Sequence, residues 1–318
     1  MLDEKEIIRI FSNKLSINNL DDVAVLEKGI VIKSDMLVST TDVPRGMKAW
    51  QIARKSMVSC ISDLAAKGVR PYAATISLGI PNDCSIQRTT IEGLATGFAI
   101  ASKEFEVKIV GGDTNEACDL VIDCSIIGFT RFNIPTRNGA RAGDYVVVSG
   151  TFGFTAAGLA ILLKNAILYN NNNNNRIFRK HAMKSVLEPY PRLRFGLALA
   201  RHFSSSIDSS DGLAASLYEL ASQSRDVDIT IDSIPIAEGL EKFAEDNSVD
   251  PYELVFYGGE EYEIVATISS TKIKQAKKAA RQAGVNLHVI GRVHRGSGKV
   301  FARNKQLENR GYTHFQKR

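Results

Sequence analysis

Two α/β domains in tandem are the architecture this sequence predicts, and three observations carry that prediction. The chain has 318 residues, 44% of them hydrophobic and 24% charged. That is too long for one small core and too apolar for wholesale disorder. Short β-branched runs alternate with longer stretches of helical spacing, as in layered α/β structure rather than a bundle or solenoid. The polar, glycine-rich stretch Arg137-Asn138-Gly139-Ala140-Arg141-Ala142-Gly143-Asp144 separates two such alternations, so residues 1–136 and 137–318 are expected as separate domains.

In the first, residues 3–14 form a short helix expected to carry Ile7, Ile8 and Phe11 inward. Residues 20–26 and 29–38 are apolar stretches parted by Gly29, read as a hairpin or adjacent strands with aspartates at their margins. Residues 49–67 have helical spacing at Ile52, Ser56, Ser59 or Cys60, and Asp63, and the small residues permit close approach to a neighbouring backbone. An unpaired charge buried on that helix would be expensive, so Asp63 either faces solvent or meets a cation. Gly68 and Pro71 close it. Residues 73–80 are a strand stopped by Pro81, residues 86–103 a second helix, and residues 121–129 a strand. Between these last two lies Val107-Lys108-Ile109-Val110-Gly111-Gly112-Asp113-Thr114, whose β-branched run is expected to stop at the glycines and hold Asp113 at a strand end. A nearly bare backbone there suits a metal or phosphate, although the same composition makes ordinary exposed turns.

In the second, residues 145–149 are a buried-type strand and Gly150 to Gly158 opens a helix reaching residue 164. The six asparagines at 170–175 are expected as a surface insertion. Helices follow at 181–188 and 194–203, then residues 205–214 read as a short strand entering a glycine-bearing turn, with a helix through Ser222. Residues 227–231 are a strand, Gly258-Gly259-Glu260-Glu261 turns into another ending at 268, residues 272–283 form a basic helix, and residues 285–290 a further strand.

Composition removes several classes of function. A net charge of +5 from 40 basic and 35 acidic residues is small and spread out. Without interleaved aromatics it favours anionic small molecules over nucleic acid. No run approaches the roughly 18 apolar residues of a membrane helix. The acidic, amphipathic N-terminus lacks a signal region, so a cytoplasmic protein is expected. Cys60, Cys84, Cys118 and Cys124 form no CxxC pair and read as reduced residues. Walker A, GxGxxG, GxSxG and HExxH patterns are absent.

What stands out is a set of aspartates beside glycine, serine or strand ends: Asp22, Asp35, Asp63, Asp113, Asp208 and Asp211, with Glu260 and Glu261 after a second Gly-Gly. Hard oxygen ligands of this kind suit Mg²⁺, which is commonly bridged to substrate phosphates. Carboxylates brought together repel one another, so convergence would imply a metal. The alternative is that several of 35 acidic residues simply fall near turns.

The combination of GGDT, TRNGARAGD with YVVVSG, IDSSDG and GGEEYEI resembles the thiamine-monophosphate kinase family, ATP-dependent enzymes that make thiamine diphosphate. That family sits in the superfamily of aminoimidazole ribonucleotide synthetase and selenophosphate synthetase. The resemblance spans essentially the whole chain. It implies an N-terminal α/β domain that pairs its sheet across a homodimer, a C-terminal mixed α/β domain, and ATP with Mg²⁺ in the cleft between them. Carried over residue by residue, it implies magnesium on Asp22, Ser34, Asp35, Asp63, Asp113, Asp208 and Asp211. It implies nucleotide contacts from Gly112, Asp113, Ser210 and Arg137, with Arg137 on the phosphates and Asp211 beside it as the catalytic residues. Substrate contacts fall on Glu260, Asp42 and Tyr312, Tyr312 being favoured over Phe315 for the thiamine rings. The sequence departs from the family pattern at Leu20, where a glycine is usual, at Glu261, where an aspartate is usual, and at Asp42, where many bacterial members have histidine. A carboxylate at 42 would grip the thiamine moiety differently or add a metal contact. The implied reaction is direct in-line attack of thiamine monophosphate on the γ-phosphorus of ATP. A phosphate monoester with a second pKa near ~6 is already mostly dianionic and needs no strong base. Other synthetases of the superfamily and a non-catalytic nucleotide-binding protein are the alternatives.

Overall fold

The computed structural model describes residues 2–17, 20–82, 86–164 and 173–313. Its first sheet contains β1 (Ala24–Val25), β2 (Ile30–Val38), β3 (Arg70–Pro81), β4 (Lys108–Ala117) and β5 (Val121–Phe129). They lie in the order β1-β2-β5-β3-β4, with only β3 and β4 parallel. Helices α1 (Glu4–Leu15), α2 (Ser39–Asp42), α3 (Ala49–Ala66) and α4 (Arg88–Phe105) accompany it. The second sheet uses β6 (Tyr145–Val148), β7 (Ser205–Ser209), β8 (Val227–Ile231), β9 (Glu263–Ile268), β10 (His288–Arg295), β11 (Val300–Ala302) and β12 (Lys305–Gln306), ordered β12-β11-β8-β10-β6-β9-β7. Around it lie α5 (Phe154–Lys164), α6 (Asn173–Leu187), α7 (Leu193–Leu199), α8 (Leu213–Gln223), α9 (Leu240–Asp246), α10 (Pro251–Tyr257) and α11 (Ile273–Ala283). The expected two mixed α/β units are therefore present.

Several expectations change in detail. The strand carrying Gly111 and Gly112 does not stop at them: β4 continues to Ala117, and Asp113 sits mid-strand opposite Ser77 of β3. The glycine at 112 serves strand pairing, because a Cβ there would lie 1.7 Å from the Ile76 carbonyl oxygen. Gly112→Ala should therefore cost about 1–3 kcal/mol through overpacking. Gly111→Ala, whose Cβ meets nothing within 4 Å, should be close to neutral. Paired urea denaturation midpoints check this, and equal midpoints would remove the steric account.

Helix α1 forms as expected, held by a capping box between Asp3 and Glu6 and closed by Ser16 in the left-handed region. Its apolar residues do not turn into this chain's core. Ile8 and Phe11 are exposed and no α1 residue is buried, because local capping makes the helix while nothing among the described residues covers its apolar side. The 170–175 insertion falls partly outside the described residues, with α6 already begun at Asn173. The final expected strand begins three residues later and runs on to Arg295. Helices α9 and α10 were not anticipated, although Asp250 caps α10 ahead of Pro251, a legible start signal.

The pivot of the fold is α3. Fifteen of its 18 residues are buried, the signature of a helix covered all round rather than on one stripe. On one side the Cys60 thiol donates to the Cys124 carbonyl of β5 at 2.8 Å. On the other, the Ser206 hydroxyl of β7 donates to the Ala66 carbonyl at 2.7 Å. Helix α7 crosses so closely that a Cβ on Gly196 would lie 1.8 Å from the Ala65 carbonyl oxygen. Polar side chains of α3 are thereby held between the two sheets.

Candidate active site

At that crossing three carboxylates converge. Asp22 from the turn before β1, Asp63 from α3 and Asp208 from β7 are all buried, with one ligand oxygen of each lying within 4.8 Å of the others. The Ser62 hydroxyl donates to Asp208 Oδ2 at 2.8 Å. Asp63 meets a cation, one of the two outcomes its helix allowed: Lys33 Nζ of β2 lies 2.6 Å from Asp63 Oδ2 and 3.6 Å from Asp35 Oδ1.

A second cation closes the rear of the cluster. Lys67 is fully buried, with its ammonium 2.6 Å from Asp21 Oδ1, 2.8 Å from Asp22 Oδ2 and 2.7 Å from the Ser206 carbonyl oxygen. Arg137 donates to Asp22 Oδ1 through Nε at 2.8 Å and more closely through Nη2, and its main-chain N–H donates to Asp21 Oδ2 at 3.1 Å. Asp22 Oδ2 is buried with the Lys67 ammonium as its partner.

The electrostatics follow from this crowding. Burial pushes the Asp63 carboxyl well above the carboxylate range, and Asp208, Asp22 and Asp35 add to it against the pull of Lys33. Burial, helped by Asp22, raises Asp208 to about 6 despite the Ser62 hydrogen bond. For Asp22 burial acts in the same direction, but Lys67 and Arg137 outweigh it and the carboxyl is held low. Metal ligands must be deprotonated, so Asp22 is ready for a divalent cation while Asp63 and Asp208 would gain most from one.

A second group of residues gathers beside Asp208, at the turn after β7. The main-chain N–H of Glu260 donates to the Ser210 carbonyl at 2.6 Å, and that of Tyr312 donates to the Asp211 carbonyl at 3.0 Å. Ser210, Asp211, Glu260 and Tyr312, singled out in the sequence, are thus neighbours. Glu260 holds a left-handed backbone at φ 62°. Its carboxylate pairs with the ammonium of Lys55, a buried α3 residue that also donates to the Asp42 carbonyl at 2.7 Å. Phe315 lies outside the described residues.

Of the other expected site residues, some border these groups and some lie apart from them. Ser34 and Asp35 are consecutive in β2 and so take opposite faces. The Ser34 hydroxyl points outward and donates to Asp123 Oδ1 at 2.8 Å. Gly112 and Asp113 lie on exposed edge strand β4, and neither Ser34 nor Asp113 joins the carboxylate group in this chain. Asp42 uses its carboxylate locally, accepting from the Val38 N–H at 2.7 Å to close α2. The Glu261 carboxylate accepts from Gly153 N–H at 2.6 Å and Thr155 Oγ1 at 3.1 Å, where α5 begins. Arg137, expected on phosphates, grips Asp22. Sequence reasoning missed Lys33, Lys55, Lys67 and Ser62. The only signal for the three lysines was their place inside otherwise apolar segments, and Ser62 carried none.

This fold and this site define a class. The chain belongs to the AIR synthase related family, with residues 20–130 matching its N-terminal domain and residues 141–303 its C-terminal domain. Within the family it is similar to thiamine-monophosphate kinases. It is 41% identical over 320 residues to that of Nitrosopumilus maritimus, covering 99% of both chains, and 33% identical over 311 residues to that of Pyrococcus horikoshii, covering 96% of this chain and 93% of the other. Among solved structures it is similar to AaThiL complexed with AMPPCP and TMP, with a TM-score of 0.86, 28% identity and coverage of 99% of this chain and 97% of that one. Thiamine monophosphate kinase from Aquifex aeolicus matches with a TM-score of 0.84 at 27% identity, over 96% and 98% of the two chains.

Proposed function

We infer that this protein phosphorylates thiamine monophosphate with ATP to give thiamine diphosphate. The observation that carries the reading is the convergence of Asp22, Asp63 and Asp208 in a chain matched over 99% of its length by a thiamine-monophosphate kinase. The donors fit magnesium: they are all hard carboxylate oxygens gathered in one buried cluster. Asp22, Asp63 and Asp208 would hold it, with Asp35 adjoining and Asp211 at the neighbouring turn. When bound, magnesium neutralises triphosphate charge and orients the transferring group. Arg137 offers a planar donor fork to phosphate oxygens on releasing Asp22. Glu260, fixed by Lys55, and Tyr312 border the acceptor side. Ser34, Gly112 and Asp113 remain proposed contacts that this single chain does not bring to the cluster; Asp42, whose carbonyl shares the Lys55 ammonium with Glu260, is a proposed substrate contact, and Ser210 a proposed nucleotide contact.

A domain division at residues 136/137 belongs to the same proposal, as does a homodimer. The outer face of the first sheet exposes Ile32, Met36, Tyr72, Ile127 and Phe129, the kind of contiguous apolar surface that marks an interface. No described helix is long and apolar enough to cross a membrane. A cytoplasmic site of action accords with the free cysteines Cys60, Cys118 and Cys124.

The direct test supplies ATP, magnesium and thiamine monophosphate and follows ADP release together with phosphorus NMR of the product. A diphosphate doublet pair that appears only with the acceptor supports the reading. ATP binding without diphosphate would reject it in favour of another synthetase or a binding protein.

Two further outcomes are expected. Lys55→Met frees Glu260 from its tether, so the KM for thiamine monophosphate should rise about tenfold with little change in kcat; an unchanged KM would remove Lys55 from the site. The second concerns pH. A carboxyl raised from 3.8 to about 6, as Asp208 is, contributes stability that is present below about pH 4 and lost as pH rises through 6. Magnesium should cancel that loss. The melting-temperature gap between magnesium and chelator should therefore widen from pH 5 to pH 7, and a constant gap would contradict the assignment.

A further inference from the structure

The cations around the carboxylates are not equivalent. Lys67 is enclosed and pinned by two carboxylates and a main-chain carbonyl. Arg137 is anchored at the domain junction by its side chain and its main-chain N–H. Lys33 is held differently. Its ion-pair partners among the described residues are Asp63 and Asp35 alone, and its side chain is 18% exposed, against none of Lys67. It projects from the inner face of β2, next to Asp35, into the approach to Asp63.

Geometry gives this placement a consequence. The ammonium sits 2.6 Å from Asp63 Oδ2, close enough that a second cation on either oxygen of that carboxylate would be strongly repelled. Asp63 is one of the three carboxylates whose oxygens converge. A four-carbon stem with a compact, well-hydrated head can withdraw toward solvent without disturbing the backbone. We propose that Lys33 is the resident counter-ion of this site: it holds the Asp63–Asp35 side of the cluster together in the absence of metal, and must yield the Asp63 oxygen when a divalent cation enters. Metal entry is then a displacement, and Lys33 sets the concentration at which the site fills. The cluster is spared unscreened repulsion while empty, and the metal binds more weakly than the carboxylates alone would dictate.

This inference rests on reading the cluster as a divalent-cation site, and the test separates the two. Binding of Mn²⁺ to the full chain without nucleotide, followed by electron paramagnetic resonance of the free ion, is compared for wild type, Lys33→Met, Lys33→Gln and Lys33→Arg. Both neutral variants should bind the first Mn²⁺ at least about tenfold more tightly, since removing a unit charge beside a divalent ion is worth a decade or more. Lys33→Arg, which keeps the charge, should show no gain. Lys33→Met should also melt below wild type in chelator and recover the difference with Mn²⁺. Should that variant fail to fold without metal, Lys33→Gln, which can still donate to Asp63, reads the same competition. Neutral variants that bind Mn²⁺ no better than wild type would overturn the displacement role while leaving the metal site intact. If no variant, nor wild type, binds Mn²⁺, the metal reading itself fails and this inference with it.

Discussion

Asp208→Asn should lower kcat by at least about a thousandfold, some 4 kcal/mol of transition-state stabilisation, while leaving the protein folded. The reason for both halves lies in the packing. Asparagine keeps the shape of the side chain and an oxygen for the Ser62 hydroxyl, which donates to Asp208 at 2.8 Å. Burial and the nearby Asp22 already favour the neutral form of Asp208, whose carboxyl is raised to about 6. Removing its charge therefore relieves repulsion, and the metal-free variant at pH 7 should melt no lower than wild type. What it loses is one of three anionic oxygens within 4.8 Å of each other, so Mn²⁺ affinity and turnover should fall together. A variant with wild-type turnover at saturating magnesium would exclude Asp208 as a ligand. A variant that lost turnover only by unfolding would be seen at once in the melting curve. Asp211→Asn, one turn further on, should reduce turnover in the same direction.

The part of this site legible from the sequence is the part written in local chemistry. Asp208 lies near the end of β7 with Ser210 and Asp211 in the turn after it, and Glu260 follows a Gly-Gly that packs on that turn: a Cβ on Gly259 would lie 2.8 Å from the Ser210 carbonyl oxygen. Such short-range signals survive in one dimension. Asp63 was legible in a conditional sense, since a carboxylate on a helix turning apolar demands either water or a cation. Which cation could not be read, because Lys33 is 30 positions away on another element. The misplaced expectations share a cause. Gly112 and Asp113 suggested a turn because glycine pairs commonly break strands, and only the nearness of Ile76 shows that glycine at 112 allows the strand to continue. Ser34 and Asp35 are both implied by the resemblance, and only the strand they share shows that within this chain their side chains take opposite faces. The local engagement of Asp42 was equally hidden: one of its carboxylate oxygens closes the short helix that begins at Ser39.

Lys67→Met should be the most destabilising single change at the site, costing about 3–5 kcal/mol. Methionine matches the stem's volume and removes the charge, so the loss is not a cavity effect. It leaves Asp21 and Asp22, 2.6 and 2.8 Å from the missing ammonium, facing each other with Arg137 as their remaining cation. It also leaves the Ser206 carbonyl of β7 without its side-chain donor. The same ammonium ties the turn bearing Asp22 to the strand bearing Asp208, so Asp22 should drift from the cluster and Mn²⁺ affinity should fall. That sign is opposite to the one expected for the neutral variants of Lys33, and it separates a cation that builds the site from one that competes for it. Because most of the cost is uncompensated negative charge, adding Asp21→Asn to Lys67→Met should recover stability relative to the single variant, a non-additivity expected of contacting residues. Equilibrium urea denaturation of the two single variants and the double variant measures this coupling. A loss below about 1 kcal/mol for Lys67→Met, the level of an exposed ion pair, would mean that the buried lysine does not hold the two halves of the cluster together.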